Sequence, residues 1–480
     1  MVQFHRHMDN KSQNIHNNST IDKQINIGTN IVYNYFYSTS YQNILTEIQD
    51  NEEALAFIPE KEIETRNKLI LKIEKFKKQK ADFQREIVQL AEVFTRIELN
   101  SERLREAKKY FDSGRLIEAS ALLNMQHIQS EIITLNITTE STKRKASEAN
   151  IKRKQLSNEL LVKAQITALM FNNVNRITDV EEYFNMSLQL HKFFDNCYNY
   201  ADFQRVHENY KKSLKFFQLA YKVSNKDKFL QAQALHAIGN VLYDLKEYEK
   251  ALQKFIEADN IWAEIIDSDW GKIAPKKAIT DNALGNTYGD LALINNDIIN
   301  FEKSEEYHEK ALGIRLKLVQ LDEPKYKPDL ALTYMNLAVL KRRLKQLEDS
   351  EKYYRILIPV YKELEREDAY KYGLYVAHLY NNLAYLFMDK QDFPKAKEFF
   401  EFAKLQYQKI AKLNPIAHEQ WLGMAYANLA KLYTNYIFDY ELATLNIDNA
   451  KKILSKHKSN PKAMMYLDEA LKLEKILNSD

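Results

Sequence analysis

The sequence predicts an all-α protein: a solenoid of stacked helical hairpins, entered through a coiled-coil helical region and a short β segment. Two observations carry this. The first is an internal repeat. Tyr334-Met335-Asn336-Leu337-Ala338 returns as Tyr380-Asn381-Asn382-Leu383-Ala384 and as Tyr426-Ala427-Asn428-Leu429-Ala430, 46 residues apart each time. A weaker copy, Tyr288-Gly289-Asp290-Leu291-Ala292, lies one interval upstream. A fixed period of this size marks units that bury their apolar faces only by stacking on one another. The second observation is a shortage of helix breakers. The 480 residues include 9 Gly and 8 Pro, and no proline falls between Pro59 and Pro275. Proline breaks helix interiors and glycine weakens them, so nearly continuous helix is expected.

Composition narrows the class. Hydrophobic residues make up 45% of the chain, enough for a large core or a long array. The net charge of +3 comes from 69 basic and 66 acidic residues, a near balance with no global pull toward nucleic acid or an anionic membrane. Cys197 is the single cysteine, which rules out intrachain disulfides and fits a reducing cytoplasm. No apolar run is long enough to span a bilayer, and the polar N-terminus lacks a secretory apolar segment.

Taken in order, residues 1–22 read as a polar, disordered tail rich in Asn, Gln and His. Residues 23–40 read as a strand or hairpin. Ile25, Ile27, Thr29, Ile31, Tyr33, Tyr35 and Tyr37 alternate with polar residues, the period of a pleated strand. A lone strand has unpaired edges. It must lie against the helices or pair with another copy, with Ile25, Ile27, Ile31, Tyr33 and Tyr35 as the associating residues.

Residues 41–165 read as a coiled-coil and helical region. Leu69, Ile73, Phe76, Lys80, Phe83, Ile87, Leu90, Phe94 and Ile97 follow steps of four and three, the seam of a coiled coil. That seam needs a partner: a second copy of the chain, or the later helix around 139–165. The later helix carries a basic run from Lys143 to Lys154, read as a solvated face because no groove-reading motif accompanies it. Between the two helices, Ala107, Tyr110, Gly114 and Ala119 suggest one degenerate repeat unit at 100–133, turning at Gly114-Arg115. Residues 166–457 read as paired helices with connections at Asp267 to Pro275, at Pro324 and Pro328, and at Pro415. Residues 458–480 read as a capping helix.

The repeated phrase resembles the tetratricopeptide repeat family. There an aromatic is followed three residues on by Leu and then a small residue, with an Ala-x-x-x-Phe pair in the second helix. Here the first helices supply Tyr334/Leu337/Ala338, Tyr380/Leu383/Ala384 and Tyr426/Leu429/Ala430. The second helices supply Ala251/Phe255, Ala396/Phe400 and the substituted Ser350/Tyr354. The resemblance covers residues 230–457 strongly and 100–230 weakly. It implies a right-handed helical-hairpin solenoid. The family period is about 34 residues, so the units here gain about 18 Å of helix between their two arms. Kinesin light chains and bacterial peptide-sensing regulators show similar elongation.

The resemblance also implies where a ligand sits. The family uses a concave surface lined by first helices, and often an Asn there whose amide holds a peptide backbone. Asn336, Asn382 and Asn428 take that place in three successive units, with Asp290 in the unit before. An amide side chain has both a donor and an acceptor, which suits the unpaired groups of an extended peptide. Tyr385, Met388 and Asp389, Lys431 and Asn435, and Arg342 and Arg343 lie one turn along and would set specificity. The alternative is that the asparagines bond neighbouring helices. The front of the chain is also similar to proteins of bacterial conflict and defence systems, in which repeat arrays act as sensors or adaptors.

Catalytic and cofactor motifs are missing. Gly285-Asn286-Thr287-Tyr288-Gly289 lacks the Lys and strand of a phosphate loop, and His418-Glu419 lacks the second histidine of a zinc motif. Cys197 lies among Phe194, Tyr198 and Tyr200 and reads as a core thiol. The expectation is a cytoplasmic, non-enzymatic scaffold or sensor-adaptor. It would hold a protein or peptide without cofactor, metal, nucleic acid or membrane, and residues 24–37 and 69–97 would allow self-association. Two alternatives are a peptide-responsive regulator acting through its N-terminal helices, and a structural protein assembling through its strand.

Overall fold

The computed structural model describes residues 39–59, 62–138, 143–171, 173–295, 297–413, 415–457 and 461–478, which form helices and short connections. The expected β segment, with Ile25, Ile27, Ile31, Tyr33 and Tyr35, lies outside the described residues except at its end. There a correction is needed, because Thr39 already begins a helix.

In chain order the helices begin with α1 (Thr39–Phe57), α2 (Ile63–Arg96), α3 (Glu102–Asp112), α4 (Leu116–Leu122), α5 (Met125–Thr138) and α6 (Lys143–Ala168). Next come α7 (Arg176–Leu190), α8 (Phe194–Val206), α9 (Tyr210–Val223), α10 (Lys228–Asp244), α11 (Tyr248–Ile265) and α12 (Trp270–Asn295). The rest are α13 (Ile298–Leu321), α14 (Glu323–Arg343), α15 (Leu347–Glu367), α16 (Ala369–Asp389), α17 (Phe393–Leu413), α18 (Pro415–Leu432), α19 (Tyr440–Leu454) and α20 (Pro461–Leu477). Two compact units contain them. An N-terminal unit gathers Lys75–Asn295 with the described part of Ser19–Glu53, and a C-terminal unit gathers Asn296–Asp480 with Ala54–Glu74.

Five hairpins share one turn: α3/α4, α8/α9, α10/α11, α14/α15 and α16/α17. Each turn holds one residue in the left-handed region: Gly114 (φ 77°), Glu208 (59°), Lys246 (62°), Lys345 (60°) and Gln391 (60°). The N–H of that residue donates to the carbonyl three residues back, and the next N–H to the carbonyl five back. Lys345 to Arg342 (3.0 Å) and Gln346 to Lys341 (2.9 Å) show the pattern, as do Gln391 to Met388 (3.0 Å) and Asp392 to Phe387 (2.9 Å). These bonds satisfy carbonyls that a helix end would otherwise leave open.

A small residue stands seven positions before each such turn residue and another five after it: Ala107 and Ala119, Ala201 and Ser213, Gly239 and Ala251, Ala338 and Ser350, Ala384 and Ala396. They are the points of contact. The Ser350 hydroxyl donates to the Ala338 carbonyl at 2.7 Å, and a Cβ on Gly239 would lie 2.5 Å from the Phe255 ring. Phe217, Phe255, Tyr354 and Phe400 follow four residues after the second small residue and are buried beside the crossing. The hairpins are therefore tetratricopeptide-like, and the fold is a helical repeat. The α18/α19 hairpin departs from the rule by one extra residue, absorbed as a π-turn at Tyr433–Ile437 before Phe438 takes the positive φ.

The seam of α2 finds its partners inside the chain. In the N-terminal unit Phe83, Ile87, Leu90 and Phe94 are buried with Tyr41 and Ile44 of α1 and Leu104 and Phe111 of α3. Gln89 donates to Asp202 of α8 at 2.8 Å, and Arg96 pairs with Asp195 of α8 at 2.6 Å. In the C-terminal unit Leu69, Ile70 and Ile73 pack on Leu55. These seam residues share one core with α1, α3 and α8 and also with Leu156, Leu160 and Leu161 of α6, the later helix that the sequence offered as one partner. The prolines are also re-placed: Pro324 and Pro415 open helices, where a missing N–H costs nothing, and Pro328 lies one turn further in.

Two polar knots lie in the repeats. In the C-terminal unit buried Arg315 of α13 donates to the Asp329 carbonyl and the Thr333 hydroxyl of α14. In the N-terminal unit Lys277 of α12 donates to Asp281 at 3.0 Å and to Asp259 of α11. Beside it Thr280 links Trp262 (3.2 Å) to His236 of α10 (3.0 Å). Burial, opposed by Lys277 and reinforced by Asp259, pushes the Asp281 carboxyl up to about 7. Burial pushes His236 down to about 4.

Two predictions follow from this geometry. Gln391→Gly removes the strain of a side chain at positive φ and should raise unfolding stability by about 0.5–1 kcal/mol, read by chemical denaturation; no gain would contradict the turn assignment. The second concerns pH. Between about pH 4 and 7 the folded chain holds a proton on Asp281 that the unfolded chain releases, so this group makes stability fall as pH rises, by at most about 1.4 kcal/mol per pH unit. Asp281→Asn should flatten that fall, and the difference between wild-type and variant Tm should close toward acid pH. Parallel profiles from pH 5 to 8 would sink the assignment.

Candidate functional site

The candidate residues of the C-terminal unit ride on α14, α16 and α18, the first helices of successive hairpins. Local sequence places them there: each phrase ends in the small crossing residue, so the Asn two positions earlier turns away from the hairpin contact. The structure then treats the three asparagines differently. Asn428 is only 3% exposed and fully engaged: its Oδ1 accepts from the Tyr385 hydroxyl (2.7 Å) and its Nδ2 donates to Asn381 Oδ1 (2.9 Å), both on α16. Asn382 directs Nδ2 at the Met335 thioether (3.6 Å), a weak acceptor. Asn336 is half-buried, and its Nδ2 is buried without a hydrogen-bond partner among the described residues. In the N-terminal unit Asp290 of α12 accepts from the Tyr243 hydroxyl of α10.

Tyr385 is the hub of the site. Its ring meets Phe400 edge-on at 5.3 Å and lies under the Arg342 guanidinium at 5.4 Å, and burial raises its hydroxyl well above the ordinary tyrosine value. Arg342 pairs with Asp389 at 2.8 Å, and Asp389 also takes Lys345 at 2.9 Å. Burial opposes ionisation of Asp389, but hydrogen bonds from Lys345 and Arg342 outweigh it and hold the carboxyl below its usual value. The Arg342 Nε is a second buried N–H without a partner among the described residues. One connected network thus joins Arg342, Asp389, Tyr385, Asn428 and Asn381 across α14, α16 and α18.

The remaining expected residues lie apart from this network. Lys431 pairs with Glu469 of α20 at 2.6 Å, Asn435 is exposed in the π-turn, Arg343 is exposed, and Met388 is partly buried and packs against the core. Sequence reasoning missed the groups one turn from Asn382. His378 shares a hydrogen bond with Tyr407 (2.7 Å) and meets Trp421 edge-on at 5.0 Å. The signal was present, since His378 precedes Asn382 by one helical turn and Trp421 precedes Asn428 by two.

Among the described residues, no three of His, Cys, Asp or Glu stand together to hold a metal ion, and no helix is long and apolar enough to cross a membrane. Cys197 is buried, and that burial pushes its thiol up to about 12.

No protein-family model and no curated protein matches the chain. Among solved structures the chain is similar to the apo form of RapI, at 12% identity and a TM-score of 0.49 over 80% of this chain and 99% of that one. It is also similar to a signal transduction ATPase with a tetratricopeptide repeat sensor from Pyrococcus horikoshii, at 16% identity and a TM-score of 0.48. That match covers 82% of this chain and 55% of the ATPase, so this chain spans about half its length. A third is a tetratricopeptide repeat protein from Parabacteroides merdae, at 17% identity and a TM-score of 0.41 over 66% of this chain and 98% of that one. The repeat assignment rests on the hairpin geometry described above.

The bonding pattern predicts unequal costs of substitution. Asn428→Ala strands the Tyr385 hydroxyl and the Asn381 amide and should cost about 2–4 kcal/mol. Asn336→Ala removes a buried N–H group that has no partner among the described residues and should leave stability at the wild-type level or raise it by up to about 1–3 kcal/mol. Equal losses in a urea melt would contradict the distinction.

Proposed function

We propose that the chain is a cytoplasmic, non-enzymatic scaffold or sensor-adaptor that holds a protein or peptide on the face formed by α14, α16 and α18. The observation that carries the reading is the spare bonding capacity of that face. Asn336 Nδ2 and Arg342 Nε are buried N–H groups without partners among the described residues, while neighbouring Asp389, Tyr385 and Asn428 are all bonded. Leaving a buried donor unmade costs about 1–3 kcal/mol, a cost that a ligand carbonyl or carboxylate would relieve once the side chain turns outward to meet it. Asn382, which among the described residues directs its Nδ2 at a thioether, adds an amide one hairpin further along. In this reading Asn428 is a support that fixes Tyr385, and Tyr385 and Arg342 shape the surface beside the ligand. A setting in bacterial defence or signalling rests on the resemblance of the first segments alone.

The test is partner capture from the source cell with wild type and with the double variant Asn336→Ala/Asn382→Ala, quantified side by side by mass spectrometry. The reading expects a defined protein or peptide to drop at least about tenfold, or 1.4 kcal/mol, at unchanged far-UV circular dichroism. Retention of every partner by the double variant would overturn it.

A further inference from the structure

Helix α20 has two unlike faces. Its inner face carries Ala463, Ala470 and Leu473, which are buried against α18 and α19, while Glu469 and Glu474 pair with Lys431 and Lys451 (2.6 Å each). The outer face of α20 is mixed: Met464, Met465, Leu471 and Ile476 are 38%, 55%, 39% and 49% exposed. Between them lie Asp468 and Lys472, joined at 2.6 Å and mostly exposed, and then exposed Lys475.

The order of these residues is close to a palindrome about Ala470. Reversing the helix end for end lays Met464 on Ile476, Met465 on Lys475 and Asp468 on Lys472. A two-fold contact requires this property, since residue i of one copy meets residue j of the other and the reverse. Reversal turns the charges into attractive pairs and sets the apolar ends against an apolar side chain and a lysine stem. Parallel or offset packing would instead oppose like charges or leave the methionines open.

We propose that α20 is a self-association surface on which a second copy of this chain docks antiparallel, with Asp468 of each copy paired to Lys472 of the other. The existing pair within one helix is a solvent-exposed surface contact that contributes little, so exchanging it across the two-fold axis costs little. One helix face lies at the small end of specific interfaces, below about 1,200 Å² in total. The contact is therefore a concentration-dependent monomer–dimer equilibrium. It differs from association through residues 24–37 or through the seam of α2, and it leaves the face of α14, α16 and α18 unused.

Charge exchange tests it, using sedimentation velocity on the full chain. Wild-type mass should rise with concentration from 56.6 kDa toward twice that value. Asp468→Lys alone places lysines opposite lysines, and Lys472→Asp alone places aspartates opposite aspartates, so each should stay monomeric. An equimolar mixture of the two variants makes both cross-pairs complementary and should recover the dimer. Both side chains are mostly exposed, so circular dichroism should show unchanged helicity. Met465→Lys, which leaves the inner face untouched, should also weaken the dimer. A wild-type mass independent of concentration overturns the proposal, as do single variants that associate like wild type or a mixture that fails to associate.

Discussion

The hairpin crossing is the contact on which the rest of the structure depends. Two helices can touch there only where both residues are no larger than Ala or Ser, as Ala338 and Ser350 or Gly239 and Ala251 show. Close approach leaves a hole one turn further along, and Phe217, Phe255, Tyr354 or Phe400 fills it. A large ring removed from such a position typically costs about 3–5 kcal/mol, so few positions determine whether a unit forms. The turn is bound to the same spacing. A left-handed residue seven positions after the first small residue returns the chain so that the second small residue arrives opposite. Most of these turns accept a strained Lys, Glu or Gln where glycine would be relaxed, so packing at the crossing outweighs local backbone preference.

The repeats were legible in the sequence because stacking forces the same side chains to recur. Tyr334, Tyr380 and Tyr426 recur for that reason, and the turn at Gly114 was visible from Ala107, Tyr110, Gly114 and Ala119. The unit built on Ala201 and Ser213 was harder to see, since its turn residue is Glu208 and neither flank repeats the phrase. The seam of α2 was legible as an apolar stripe, and Leu156, Leu160 and Leu161 of the later helix that the sequence offered as a partner lie in the same core. Tyr41 and Ile44 of α1 and Leu104 and Phe111 of α3 join that core without a pattern that marks them in sequence. The insertion that makes the π-turn is likewise invisible until the crossing at Ala430 and Ala443 is counted.

The candidate site shows where repetition misleads. Asn336, Asn382 and Asn428 are the same letter in the same register, yet their chemistry depends on what the preceding helix offers. Asn428 meets Tyr385 and Asn381 and becomes a strut, whereas Asn382 meets the Met335 thioether and stays weakly held. Arg342 was named from its position one turn along, and its pairing with Asp389 follows from the opposite charges. Its stacking over Tyr385 came only with the structure. A repeat scaffold thus fixes where polar groups stand, and non-repeating neighbours decide which of them keep capacity for a ligand.

Site-specific photo-crosslinking in the source cell tests the central claim most directly. A photoreactive residue at Asn336 or Asn382 reports on the face of α14 and α16, while the same residue at Ile356 or Leu405 reports on exposed positions of α15 and α17. The account predicts crosslinks to one defined protein or peptide from Asn336 and Asn382 and none from Ile356 and Leu405. Crosslinks confined to Ile356 and Leu405 would place the partner on the second helices and contradict it.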